Sequence, residues 1–137
     1  METYFNGTNL RTYCNTVLLE GAITSLLTPP PMKPRVESSS RITHGKNIIT
    51  SGAKKDAREV SLTFAIRGAD ASEFDANYSK FVNLLTADGM IVLKTDRQPS
   101  VSYRFVYDSC STISGFTSGR CLAKIQVKFI EPNPNNR

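Results

Sequence analysis

Apolar and polar side chains alternate in three stretches of the chain. In "REVSLTFAIRG", Val60, Leu62, Phe64 and Ile66 fall on one parity, and Glu59, Ser61, Thr63, Ala65 and Arg67 on the other. A period of two is that of a strand with one buried face. "SVSYRFVYD" repeats the pattern with Val101, Tyr103, Phe105 and Tyr107. "RCLAKIQVKF" does so again, with Cys121, Ala123, Ile125, Val127 and Phe129 inward and Arg120, Lys124, Gln126 and Lys128 outward. A shorter run, "MIVLKT", follows Gly89 and leads into the turn "DRQP". These predict antiparallel strands with one wet face.

One segment changes period. "SEFDANYSKFVNLLTADG" sets Phe74, Tyr78, Phe81, Val82, Leu84 and Leu85 at helical spacing. Ser72 with Asp75, or Asp70 as a rival, would cap its start, and Asp88-Gly89 would stop it. Phe64, Phe81, Leu85, Phe105 and Val127 are therefore expected in the core. Nearer the N-terminus, "YCNTVLLEGAITSLLT" predicts short strands near residues 11–19 and 22–28. The prolines of "PPPMKP" then impose an extended path without amide donors. The C-terminal "EPNPNNR" reads as a flexible tail over 132–137. The expected class is α+β, one domain over 1–137: an antiparallel β-sandwich or partly open barrel with one packed α-helix.

Between prolines and first long strand lies a stretch that fits neither period. "SSSRITHGKNIITSGAKKDAR", 38–58, has no large apolar side chain except Ile42, Ile48 and Ile49. Charge sharpens the contrast. Between 33 and 58, seven cations (Lys33, Arg35, Arg41, Lys46, Lys54, Lys55 and Arg58) meet only Glu37 and Asp56. The local balance is +5, which is the net charge of the whole 137-residue chain, so the remainder sums to zero. Two extended arms around Gly45-Lys46 would make a protruding β-hairpin too polar to pack on its own domain. Laid on a neighbouring subunit it would add strands to an edge and bury its isoleucines. The assembly-arm candidates are Arg41, Ile42, Gly45, Lys46, Ile48, Ile49, Lys54 and Lys55. The competing use of the same cations is to grip nucleic-acid phosphates.

Candidate chemistry is thin. His44 is the single histidine, whereas hydrolytic triads and most transition-metal sites draw on histidine set against other ligands. Cys14, Cys110 and Cys121 form no C-x-x-C pair and read as reduced, mostly buried thiols. "GFTSGR", 115–120, lacks the ending of a phosphate-binding loop and reads as a hairpin tip. Neither a catalytic residue, a metal site nor a cofactor is expected. The first residues lack the charged-then-apolar order of a secretion signal, and no apolar run approaches membrane-spanning length.

From "RITHGKNIITSGAKKDAREVSLTFAIRG" through the helix to "DGMIVLKTDRQPSVSYRFVY", roughly residues 39–108, the order and spacing of elements resemble the N-terminal domain of bacteriophage distal tail proteins and the wider tail-tube-like group. The opening "YFNGTNL" and the proline stretch are also similar. The resemblance implies a structural protein of the virion tail, assembled in the bacterial host cytoplasm. Its long hairpins would pair across copies into a ring, expected to be a hexamer, joining the tail tube to the baseplate or tip. DNA would be only cargo passing through the channel. Its implied partners are copies of itself and other tube or baseplate proteins.

Overall fold

A computed structural model describes residues 2–33, 37–39, 46–48, 54–114 and 121–135. In chain order these form β1 (Thr3–Phe5), β2 (Thr8–Asn9), α1 (Leu10–Cys14), β3 (Thr16–Leu18), α2 (Ala22–Leu27), β4 (Glu37–Ser39) and β5 (Lys46–Ile48). Then follow β6 (Arg58–Arg67), α3 (Ala71–Thr86), β7 (Ile91–Thr95), β8 (Gln98–Ser114) and β9 (Leu122–Glu131). Seven strands make one antiparallel sheet in the order β2-β1-β7-β8-β9-β6-β3, and β4 and β5 make a second, separate pair.

The large sheet folds over on itself. Strands β1 and β6 stand far apart in the strand order, yet the rings of Phe5 and Phe64 meet edge to face with centroids 5.8 Å apart. The strand that makes this possible is β8, which changes partners along its length. Its first half pairs with β7, from Thr95↔Gln98 to Ile91↔Phe105. Both halves of the fold are thus stitched by one chain segment, because from Val106 to Ser114 it pairs with β9 instead. Alternation then sends Val60, Leu62, Phe64 and Ile66 of β6, and Ala123, Ile125, Val127 and Phe129 of β9, into one shared core.

Helix α3 closes the remaining side. It buries Phe74, Asn77, Phe81 and Leu85, and Phe81 lies 5.0 Å from Phe64 and 6.1 Å from Phe5, bridging the two layers. Asp70 is the cap: its carboxylate accepts from the Glu73 amide at 2.8 Å, while Glu73 accepts from the Ala69 amide at 3.2 Å. The buried Asn77 donates to the Arg67 carbonyl at 2.8 Å, which satisfies the one polar group in the apolar stripe. The architecture is the expected α+β open sandwich, and all five expected core residues are at most 3% exposed.

Two expectations near the N-terminus fail. Residues 22–27 are helical, not extended, and of 11–19 only Thr16–Leu18 is strand. Apolar runs this short do not distinguish helix from strand by periodicity. The thiols also differ: Cys14 is buried, Cys121 is half-exposed and Cys110 is exposed. Burial pushes the Cys14 thiol above its usual range. At the other end, residues 132–135 bend into a turn in which Pro134 is buried and the Asn135 amide donates to Asn133 Oδ1 at 3.2 Å.

Candidate assembly site

The arm leaves and re-enters the body at one place. Where the prolines end, the Pro31 carbonyl accepts from the Asp56 amide at 2.7 Å, Met32 bridges Lys55, and the Lys33 amide donates to the Lys54 carbonyl at 3.0 Å. Proline's missing donor is no handicap there, since only its carbonyl is used. Farther along, β4 and β5 pair antiparallel through Glu37↔Ile48, Ser38↔Asn47 and Ser39↔Lys46. Lys46, expected in the turn with Gly45, is instead a strand residue of β5.

Of the predicted arm residues, Lys46 and Ile48 lie on β5, and Lys54 and Lys55 are exposed at the root. Arg41, Ile42, Gly45 and Ile49 fall outside the described residues, as does His44. Lys33, Lys54 and Lys55 line a concavity at the root with Asp56, Pro132 and Asn133. Three ammonium groups face one carboxylate, a balance suited to an anionic partner surface.

Arg58 does not belong to the arm's charged surface. It opens β6 and is only 3% exposed, in a salt bridge with the fully buried Glu131 at 3.0 Å. The two are partners in the strand ladder as well. Arg58 Nη1 also donates to the carbonyls of Leu26, at 2.9 Å, and of Thr28, and the guanidinium lies over the Tyr103 ring, 5.8 Å from its centroid. A cation at the C-terminal end of α2 meets carbonyls that have no partner within the helix. Its role follows from position: α2 leads directly into the prolines, and Arg58 follows the returning strand of the arm. One buried side chain holds both roots. Sequence counting placed this charge in the solvated insert, and only its place on the inward parity with Val60 and Leu62 signalled otherwise.

A second feature escaped the sequence reading. The strand expected to end near Asp108 continues to Ser114. Register shifts between Tyr107 and Ser109, and again between Cys110 and Thr112, break its period of two. Among the described residues, those from Val106 onward pair on one side only. Burial pushes the thiol of Cys110 and the phenol of Tyr107 up from their ordinary values. No three His, Cys, Asp or Glu side chains converge among the described residues in a way that would hold a metal ion.

Comparison with known proteins points to one fold. No protein-family model matches the chain, and no curated protein matches it by sequence. The structure is similar to the crystal structure of the SPP1 Dit protein, described as a paradigm of the hub adsorption apparatus in phages infecting Gram-positive bacteria. The TM-score is 0.70 at 16% sequence identity, over 98% of this chain and 50% of that one. This chain thus spans half the length of that protein, and at this identity what the two share is the fold.

Proposed function

We propose that the protein is a structural subunit of a bacteriophage tail. In this reading its copies form a ring, a hexamer by the family resemblance, that joins the tail tube to the baseplate or tip around the channel through which DNA passes. The observation that carries the reading is the likeness to a phage hub protein across 98% of the chain. The separate β4–β5 pair, rooted in a basic concavity, supports it further: it is a hairpin that joins no other strand among the described residues. The partners are copies of the chain and neighbouring tube or baseplate proteins. The place is the virion tail, after assembly in the host cytoplasm. No catalytic step is proposed.

The lysine-lined root favours a second reading, a domain that grips phosphates. One experiment separates the two. Replacing 37–48 by a short glycine-serine linker removes β4 and β5 but keeps the pairing of 31–33 with 54–56 and the three root lysines. The expected product is a folded monomer, beside rings from the unaltered protein, in light scattering and electron micrographs. Salt-sensitive binding of DNA by both proteins, with no ring from either, would instead establish the phosphate-gripping reading.

A further inference from the structure

We propose that the outer half of β8, Val106–Ser114, is the seat on which the β4–β5 hairpin of a second copy docks as an added strand. The inference rests on the ring-forming reading above and names the surface that receives the arm.

Two kinds of unmet demand coincide there. The first lies in the backbone. Strand β7 stops opposite Phe105, so the following nine residues, roughly 30 Å of strand, have β9 on one side and no strand on the other among the described residues. A strand edge of this length is usually shortened, covered or guarded by lysine. This one carries no lysine, and its one charged residue is Asp108.

The second lies in the side chains. Residues directly opposite in a ladder share a face. Tyr107 stands opposite Phe129, Cys110 opposite Val127 and Ile113 opposite Ile125, so all three point to the core side of the sheet. Their partners are sealed, with Ile125 only 2% exposed, yet Ile113 is 41% exposed. The core layer stops one strand short of the edge, leaving an apolar ledge beside an open ladder. The two register shifts set this ledge at a spacing of three residues rather than two.

The occupant follows from the rest of the chain. β4 and β5 form a pair outside the large sheet, so the chain does not fill this edge with its own hairpin. Within 37–48, Arg41 and Lys46 outnumber Glu37, and Lys33, Lys54 and Lys55 flank the root, while the seat has Asp108 and no cation. A hairpin offered to one neighbour and an edge offered to the other make a head-to-tail contact, the kind that closes rings.

A mixing experiment tests this. Cys110→Lys with Ile113→Lys charges the ledge, both sites being exposed, and leaves the hairpin intact; replacing 37–48 by a glycine-serine linker removes the hairpin and leaves the ledge. Each protein alone is expected to be monomeric. Mixed, they are expected to form a one-to-one dimer and nothing larger, since only one hairpin and one edge remain to meet. Rings from the lysine variant would overturn the seat while leaving the arm's role standing. Rings from the hairpin-less variant would overturn the arm's role and the seat with it. Should the lysine variant lose its cooperative melting transition, cross-linking decides: Asn47→Cys with Cys121→Ser, oxidised in air, is expected to yield a ladder of disulfide-linked oligomers through Cys110. Absence of that ladder, in protein that still forms rings, would overturn the proposal.

Discussion

Gly68 sits where β6 turns into α3, and a Cβ there would lie 2.4 Å from the Phe74 backbone nitrogen. Backbone against backbone leaves no side chain to swing aside, so Gly68→Ala has to push the helix off the sheet. A loss of about 1–3 kcal/mol is expected, the usual range for overpacking, read as a lowered melting temperature. Phe81 is the opposite case. It fills the space between Phe5 and Phe64, and Phe81→Ala should cost about 3–5 kcal/mol. An unchanged melting temperature would contradict the packing of α3. The Arg58–Glu131 pair calls for a different design. Glu131→Gln strands a buried cation and should cost about 3–5 kcal/mol in urea denaturation. Arg58→Met combined with Glu131→Leu removes both charges, and its loss should fall below the sum of the two single losses.

At the scale of elements, the sequence was readable wherever one period ran long enough. The stripe of α3 and the alternation of β6 and β9 each persist for ten residues or more, and both appear where the pattern placed them. Where the period is interrupted, legibility is lost. The outer half of β8 reads "VYDSCSTIS", and its shifted register puts Tyr107, Cys110 and Ile113 on one face at a spacing of three, not the period of two by which a strand is read. α2 is six residues long, too short to show a stripe, and is fixed instead by Arg58 more than thirty residues away. The first hairpin, by contrast, has a short-range signal of its own. Asn6-Gly7 is the pair favoured in two-residue turns, and both residues have positive φ, 52° and 83°. Gly7→Ala should therefore destabilise the protein by about 1–2 kcal/mol through the backbone alone, since no atom crowds that position. The check is a lower urea midpoint with an unchanged slope.

For the whole molecule, charge and topology divide the labour. The body is close to neutral and supplies the core, while the segment after the prolines carries the positive charge. Moving Arg58 from the arm to the body takes one unit from that excess but leaves Lys33, Lys54 and Lys55 clustered at the root. The proposed assembly through the hairpin and the β8 edge needs no nucleic acid. The particle mass by light scattering should accordingly be the same before and after nuclease treatment. Disassembly by nuclease would mean that phosphates, not strand edges, hold the copies together.

The strand order also dictates a timetable for synthesis. Strand β1 finds its place beside β7, and Asn6 bonds Val92 across 86 residues of sequence. At about 5–20 residues per second, the ribosome delivers that partner roughly 4–17 s after the first strand has been made. β4 and β5, separated by a few residues, close on the microsecond scale of an isolated hairpin. In the proposed assembly, the segment that reaches for a neighbour is thus synthesised before the strands that complete the body's own sheet, so copies translated side by side on one message would meet with their arms exposed and their own cores unfinished.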